Sequence, residues 1–209
     1  MNTVMETKSR QTEIGVVPEE WEVDRLENHL TIRGRIGWKG LEVSEYTESG
    51  PFIVGGLQIK QGGVAWDECA HVTEARYEES PEIMLRDSDI LMTKDGTIGK
   101  LAYISDLPGK ATVASHIHVI RKHSEKILPR FLFYFFKSPI FQDLVQSKIS
   151  GSVVPALTQR DINATGFPLP PIPEQLAISK ILSDLEGKIA LNYRMNMTLE
   201  KISAAIFKR

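Results

Sequence analysis

One short stretch of the sequence combines residue types that suit DNA recognition. Residues 33–40 read Arg33-Gly-Arg-Ile-Gly-Trp-Lys-Gly40, with three basic residues and no acidic one. Arginine can donate two hydrogen bonds to a guanine edge, lysine can bind phosphate, and glycine admits close backbone approach. A solvated basic loop with its tryptophan packed in the core explains the stretch equally well. The candidate DNA contacts in this stretch are Arg33, Arg35, Trp38 and Lys39.

A second candidate is the glycine-containing stretch Lys94-Asp-Gly-Thr-Ile-Gly-Lys100. It lacks the spacing of a nucleotide-binding P-loop, and Leu101 stands where such a loop has serine or threonine. We therefore interpret it as a hairpin turn between two strands. A turn of this kind can lie against a DNA backbone, where Lys94, Thr97 and Lys100 would bind phosphate.

Two histidines, His116 and His118, are spaced to share one face of a strand, where they could bind a metal. No Cys-x-x-Cys or His-Glu-x-x-His motif accompanies them, and Cys69 with His71 forms an isolated pair. Structural or DNA-facing histidines are the favoured interpretation, and a small metal-dependent nuclease remains a third hypothesis. No nucleophile motif such as Gly-x-Ser-x-Gly appears, so the sequence shows no recognisable catalytic residues and no metal site is predicted.

Composition limits the class of protein. The chain has 209 residues, of which 42% are hydrophobic and 25% charged, which fits one large globular domain or one domain with an appendage. No apolar run approaches the roughly 18 residues of a membrane helix, and the first ten residues are too polar for a secretory signal. A single cysteine excludes an internal disulfide and suits a reducing cytoplasm.

The net charge of −2 argues at first against a nucleic-acid partner, but the charge is unevenly distributed. Residues 1–95 hold 10 Lys/Arg and 19 Asp/Glu, whereas residues 96–209 hold 15 Lys/Arg and 8 Asp/Glu. A basic surface is therefore possible on a nearly neutral protein.

The secondary structure predicted around these residues indicates an α+β domain. Short strands are predicted at 89–93 and 101–104, and the alternation of polar and apolar residues at 115–120 predicts a half-buried strand. Residues 128–149 predict two helices with a break at Ser138-Pro139. The aromatic run 131–136 can stack on bases, but at helical spacing we interpret it as core.

A proline-rich segment, residues 167–173, is expected to be extended and to end this domain. Beyond it, residues 174–209 contain no proline and carry apolar side chains at heptad spacing, which predicts a long amphipathic helix with Lys188 and Asn192 interrupting its seam. Its uncovered stripe needs a partner. The stripe consists of Ile178, Ile181, Leu182, Leu185, Ile189, Asn192, Met195, Leu199, Ile202 and Ile206.

Four motifs, in this order, resemble the specificity subunit of type I restriction–modification systems. They are Val17-Pro-Glu-Glu-Trp21, the stretch 89–99, Gly151-Ser-Val-Val-Pro-Ala-Leu157, and Phe167-Pro-Leu-Pro-Pro-Ile-Pro-Glu-Gln175. The last of these, a proline-rich entry into a long helix, is the most specific. The similarity covers nearly the whole chain from Gly15 onward.

The resemblance implies a polar tail at residues 1–14, a mixed target-recognition domain at 15–170, and a coiled-coil-type spacer and dimerisation helix at 171–209. Such a domain reads one half of a bipartite sequence in double-stranded DNA and catalyses nothing. Partner subunits would supply the chemistry: modification subunits hold S-adenosylmethionine and restriction subunits hydrolyse ATP with Mg, so this chain is expected to hold no cofactor. The loop 151–160 would also face DNA, which adds Ser152, Gln159 and Arg160 to the candidate contacts.

The chain departs from the family pattern in having one recognition domain and one spacer helix rather than two of each. It is expected to be a half-length subunit or the N-terminal part of a longer one. In either case the helix predicts antiparallel pairing of two copies. An assembly scaffold without specific DNA readout is the second hypothesis, because the first half is acidic and the helix is long.

Overall fold

The structure is a computed structural model that describes residues 8–35, 42–150 and 156–207. The candidate contacts Trp38, Lys39 and Ser152 lie outside these residues. The described strands are β1 Ser9–Thr12, β2 Gly15–Pro18, β3 Glu22–Arg25, β4 Leu30–Arg33, β5 Tyr46–Val54, β6 Ile59–Lys60, β7 Gly63–Val64, β8 Ala70–Val72, β9 Ile90–Thr93, β10 Leu101–Tyr103, β11 Ala111–Val113, β12 Ile117–Lys122 and β13 Gly166–Leu169. The described helices are α1 Glu74–Glu78, α2 Pro129–Lys137, α3 Pro139–Ser150, α4 Gln159–Asn163 and α5 Ile172–Ile206.

A four-stranded antiparallel sheet, in the order β10-β9-β12-β4, lies at the centre of the domain. Its two faces contribute to two separate cores, because successive strand residues point to opposite sides. Ile90 and Met92 belong to the core on the helix side, and Leu91 belongs to the core on the other side. The central strands are therefore buried on both faces, and strand β9 is buried along its whole length.

This double burial corrects one expectation. The alternation at residues 115–120 predicts a strand with one face in water, but residues 117–120 are all buried. The polar position in that strand, His118, faces the helix side, where its imidazole is bonded to the carbonyl of Leu157. A second layer on each face of the sheet, which the pattern of a single strand cannot reveal, is the physical reason.

The core on the helix side is rich in aromatic rings. All side chains from Phe131 to Phe136 are buried, so the interpretation of this run as core is confirmed. Helix α2 ends at Lys137 and α3 begins at Pro139, which confirms the predicted break. Phe136 and Phe141 meet edge to face across that break, with ring centroids 4.7 Å apart, a preferred arrangement for aromatic pairs.

A three-stranded sheet, in the order β11-β5-β8, covers the other face of the central sheet. Strand β5 pairs with β11 in parallel and with β8 in antiparallel orientation. Val54 and Val113 of this sheet pack in one core with Leu91 and Val119 of the central sheet. The domain is thus layered, with helices, central sheet and small sheet in succession.

The folded part of the chain begins earlier than the polar-tail interpretation expects. Strands β1 and β2 form a hairpin in which Ser9 pairs with Pro18 and Thr12 pairs with Gly15. Gly15 has a φ of 107°, which favours glycine, and the hydroxyl of Thr12 donates to its carbonyl at 2.7 Å. Gly15 therefore ends a tight turn inside the hairpin, and the strand before it lies within the predicted tail.

The long helix joins the domain through polar contacts. The proline-rich segment is extended as expected as far as Pro171, and the helix then begins at Ile172, so that Pro173 lies in its first turn. The fully buried Gln175 side chain donates to the carbonyls of Lys126 and Pro170 and accepts from the amide of Leu128. These bonds fix the direction in which α5 leaves the domain.

The mixed α/β class with a long C-terminal helix is therefore confirmed. Of the predicted stripe on α5, Ile178 and Leu182 pack against the domain core. The stripe residues that are large, apolar and exposed are Ile181, Leu185, Ile189, Met195, Leu199, Ile202 and Ile206. Within residues 8–35, 42–150 and 156–207, no helix has both the length and the hydrophobicity needed to span a bilayer.

Candidate nucleic-acid interface

Several candidate residues meet at one edge of the central sheet. The antiparallel register pairs Ile117 with Thr93, Val119 with Arg33, and Leu101 with Met92. Strands β4 and β9 therefore end where β10 and β12 begin. The segments that follow or precede these strand ends all leave the sheet on the same side. We call this side the loop edge, and define it as residues 33–35, 94–100, 115–116 and 156–160.

The turn 94–100 is a hairpin turn, as predicted, and its shape depends on two glycines. Gly96 and Gly99 have φ values of 66° and 82°, a backbone region that other residues rarely adopt. The hydroxyl of Thr93 bonds to the middle and to the end of the turn, donating to the carbonyl of Thr97 and accepting from the amide of Lys100. A Cβ atom at Gly99 would lie 2.9 Å from Val145, so the turn is seated directly on helix α3.

Backbone hydrogen bonds attach segment 156–160 to this turn. The Leu157 amide donates to the carbonyl of Lys94 at 2.9 Å, and the Lys94 amide donates to the carbonyl of His116 at 3.0 Å. Helix α4 then starts with a capping box between Thr158 and Asp161, which satisfies free amides at its N-terminus. Lys148 of α3 forms an ion pair with Asp161 at 2.7 Å. Stretches distant in sequence thus form one surface.

The candidate residues on the loop edge differ in exposure. Thr97 and His116 are exposed, and Lys94 and Lys100 are half-buried. The Lys100 ammonium donates to the carbonyl of Gly56 at 3.3 Å, and His116 Nδ1 lies 2.6 Å from Asp95 Oδ1. The other exposed candidates on this edge are Arg33, Gln159 and Arg160. Together these side chains give an edge with several cations and hydrogen-bond donors.

Two candidates lie beneath the edge rather than on it. The Arg35 side chain is only 5% exposed, and its Nη1 lies 3.8 Å from a carboxylate oxygen of Glu79. Burial, and secondarily the charge of Arg76, lower the pKa of Arg35. His118 is also buried, and burial lowers the pKa of its imidazole. In this structure neither side chain is presented to a ligand that approaches the loop edge.

The two histidines proposed as metal ligands have different environments. His116 faces Asp95, whereas His118 is buried against Leu157. Among the described residues, no group of three or more His, Cys, Asp and Glu side chains is arranged to hold a metal ion. Burial, with Asp67 and Glu68 nearby, raises the pKa of the Cys69 thiol to about 11, so that it stays in the protonated form that binds metals poorly.

Sequence reasoning missed two side-chain contacts elsewhere in the domain. The indole of Trp21 donates to Glu174 at 2.8 Å, which links the first and last of the four motifs across the domain. The i,i+3 pair Arg76 and Glu79 was also missed, although its spacing at a short helix signals an ion pair. The partner of Trp21 lies 153 positions away in the sequence and could not be foreseen.

Residues 18–201 match the protein family described as the type I restriction modification DNA specificity domain. The chain is 26% identical to the type I restriction enzyme MjaVIII specificity subunit of Methanocaldococcus jannaschii, over 97% of this chain and 48% of that protein. It is 29% identical to the HindI specificity subunit of Haemophilus influenzae, over 53% of this chain and 24% of that protein. The chain spans about half the length of three Methanocaldococcus jannaschii specificity subunits that match it over 97% of its own length.

Solved structures show the same fold. The HsdS subunit from Thermoanaerobacter tengcongensis aligns over 91% of this chain and 44% of that chain, with a TM-score of 0.60 and 18% identity. The S subunit of a type I system from M. genitalium aligns over 88% of this chain and 44% of that chain, with a TM-score of 0.61 and 13% identity.

Proposed function

The chain belongs to the type I restriction modification DNA specificity domain family, and from this premise we propose that it recognises one half of a bipartite DNA sequence. The observation that carries the proposal is the loop edge. Segments from separate parts of the chain come together there on a rigid sheet, and they carry exposed or half-buried cations. Rigid elements that present polar loops are well suited to hold base-reading side chains in register.

The proposed contacts divide by chemistry. Lys94, Lys100 and Arg160 would bind phosphates, and Thr97 with the backbone amides of its turn would add hydrogen bonds to the same oxygens. Arg33 precedes segment 36–41 in the sequence, from which Trp38 and Lys39 would reach bases. Gln159, His116 and Ser152 complete the proposed surface. The acidic residues near this edge, Asp95 and Asp161, are both in ion pairs with cations or histidine, so they repel DNA less.

The remaining functions are proposed for the assembly rather than for this chain alone. We propose that two copies of α5 pair in antiparallel orientation through the exposed apolar stripe, or that α5 pairs with an equivalent helix of a longer subunit. Modification and restriction subunits would dock on this assembly in the cytoplasm. They would carry S-adenosylmethionine, ATP and Mg, while this chain would hold no cofactor and catalyse nothing.

An exchange of recognition domains tests the proposed function. Residues 15–170 of two related subunits are exchanged, each chimera is combined with its modification subunits, and the methylated DNA sites are sequenced. We expect one half of the methylated sequence to follow the exchanged domain. Exchange of residues 176–206 is the matched control and should leave the methylated sequence unchanged. A half-site that stays with the helix instead of the domain contradicts the proposal.

A scaffold without specific readout is the second candidate, favoured by the acidic first half and the exposed face of α5. The variant Arg33→Ala/Lys39→Ala distinguishes the two functions, because it leaves the buried Arg35 in place. Loss of sequence-selective methylation with normal subunit assembly supports recognition, and unchanged selectivity supports the scaffold. Lys122→Ala/Lys126→Ala removes two cations near the opposite edge of the central sheet and should change neither property.

A further inference from the structure

The domain holds helix α5 along only the first half of its length. Gln175 and Ser179 are buried, and Ile178 and Leu182 pack against the domain core. Because these positions are three or four residues apart, they form one face of the helix, which we call the domain face. Every residue from 187 to 206, which we call the distal half, is exposed. The attachment of α5 therefore ends in the middle of a continuous helix.

Among the described residues, Glu186 makes the last polar contact between α5 and the domain. Its carboxylate accepts a hydrogen bond from the hydroxyl of Tyr134 at 2.8 Å and forms an ion pair with Lys137, and both partners belong to helix α2. The same tyrosine hydroxyl lies 2.9 Å from Oγ of Ser183, about one turn earlier on α5. The helix is thus clamped as far as residue 186, and a movement of the distal half has to begin directly after it.

A glycine occupies the position directly after this clamp. A Cβ atom at Gly187 would meet no atom within 4 Å outside its sequence neighbours and the backbone of the helix itself. Packing therefore does not require glycine here, although glycine is among the least favourable residues in a helix interior. Its effect is to weaken the helix at the boundary between the clamped half and the distal half.

Beyond the clamp, an open groove separates the helix from the domain. The groove has a volume of about 380 Å³, and its lining includes Gln61 and Gly62 of the domain and Ile189 and Tyr193 of the helix. Ile189 and Tyr193 continue the domain face along the helix, yet they are 68% and 54% exposed. A swing of the distal half toward residues 61–62 would bury both side chains, and burial of apolar surface is favourable.

We propose that Gly187 is a hinge at which the distal half of α5 swings toward the domain and closes the groove against residues 61–62. The structure shows the open arrangement. The clamp at Glu186 holds the first half in place, and burial of Ile189 and Tyr193 favours the closed arrangement. The swing changes the direction in which the exposed apolar stripe is presented to a partner helix. The hinge depends only on contacts within this chain, so it is independent of the proposed function in DNA recognition.

Distances between pairs of spin labels on the full chain test the hinge. In a Cys69→Ser background, which removes the native thiol, one label pair is attached through Lys60→Cys, beside the groove, and Glu200→Cys, on the distal half. A second pair uses Lys60→Cys and Lys180→Cys, on the clamped half; all three labelled positions are exposed. An excess of unlabelled chain suppresses distances between copies. We expect two populations for the first pair, the closed one at the shorter distance, and a single population for the second.

Two variants with matched controls examine the two parts of the proposal. Gly187→Ala should lower the closed population by roughly fivefold, which corresponds to the difference in helix propensity between glycine and alanine. Asn196→Ala also raises the helix propensity, but well beyond the hinge, and should leave the populations unchanged. Tyr193→Ser should lower the closed population by roughly threefold or more, because it removes the ring that closure buries. Leu191→Ser, on the opposite face of the helix, should not.

The results that overturn the inference are specific. A single population for the wild-type pair at 60 and 200 overturns it, and so does a Gly187→Ala variant with wild-type populations. If Asn196→Ala acts as strongly as Gly187→Ala, the distal half frays along its length and has no hinge. If Tyr193→Ser keeps the closed population, the swing does not close the groove. The exchange of recognition domains decides the proposed function separately, so failure of one is distinguishable from failure of the other.

Discussion

Large apolar side chains are buried in the globular domain but exposed on the distal half of helix α5, residues 187–206. In the domain, Phe136 and Phe141 are completely buried in a core made by this chain alone. On the distal helix, Leu199 is 59% exposed and Ile206 is 70% exposed. The same residue classes therefore stabilise the fold in one region and form an uncovered surface in the other.

The domain and the distal helix therefore differ in what stabilises their folded structure. The domain is stabilised by burial within one chain, which is the dominant favourable term in folding. The distal helix has no such source among the described residues, and an isolated helix in water is only marginally stable. Between the two lies the joint at the start of α5, where Gln175 makes buried hydrogen bonds and Ile178 and Leu182 pack against the domain core. Four measurements test this difference between the two regions.

The largest expected effect is the difference in unfolding free energy between two phenylalanine-to-alanine variants. Phe141→Ala removes a fully buried ring and should lower the free energy of unfolding by about 3–5 kcal/mol. Phe207→Ala removes a ring that is 80% exposed and should change it by less than about 0.5 kcal/mol. Chemical denaturation of both variants measures the difference. Equal destabilisation would show that the end of α5 is packed in solution, and the contrast between the regions would be lost.

The next prediction concerns association through the exposed apolar stripe of helix α5. Leu185→Glu or Leu199→Glu places a charge in the proposed helix–helix seam, and should weaken dimerisation by roughly a hundredfold or more. Sedimentation across a concentration series measures this change. Leu176→Glu is the control, because Leu176 is exposed on the same helix but outside the predicted seam. A parent chain that is monomeric at all concentrations contradicts the prediction.

The joint between the two regions should give a smaller effect. Gln175→Leu leaves the carbonyls of Lys126 and Pro170 and the amide of Leu128 without their side-chain partner. We expect a loss of about 2 kcal/mol in the free energy of unfolding, since a buried group without a partner costs about 1–3 kcal/mol. The exposed Gln146→Leu serves as the comparison in thermal melts. If both variants melt alike, the polar joint does not hold the helix.

Sequence patterns predicted the elements with local causes. The break at Ser138-Pro139, the glycine turn at 94–100 and the helix after the proline-rich segment all follow from residues within a few positions of each other. The four motifs lie in segments that the fold brings into contact, but the sequence does not predict which residues of these segments meet. That Trp21 meets Glu174, or that Leu157 bonds Lys94, depends on how the whole chain folds.

The burial of individual candidates was the part that the sequence could not reveal. Arg35 stands in a basic stretch and His118 in an alternating one, and both patterns suggest exposed side chains. The structure buries them because α1 and Leu157 lie against them, and these residues are about 40 positions away in sequence. Pattern reasoning identifies residue chemistry, whereas burial depends on a second layer that only long-range packing provides.

The smallest predicted effect follows from that burial and is a dependence on pH. Burial lowers the pKa of His118 below its ordinary value of 6.5, Lys94 lowers it further, and the hydrogen bond to Leu157 opposes both. The folded chain therefore binds this proton less tightly than the unfolded chain. The contribution of neutral His118 to stability is full above pH 6.5 and decreases as the pH falls below it, by up to about 1.4 kcal/mol per pH unit.

Unfolding free energies between pH 7.5 and about 5 measure this slope. That window lies above the range of Asp24 and Asp161, whose pKa values are lowered from 3.8. His118→Gln keeps a side-chain nitrogen that can donate to Leu157 but does not titrate, so its slope should be shallower than that of the wild type. The exposed His123→Gln is the matched control. The distal helix contains no histidine, so this slope reports on the domain alone. Parallel slopes for wild type and His118→Gln would mean that His118 is hydrated in solution. The loop edge would then be less firmly packed than the domain beneath it.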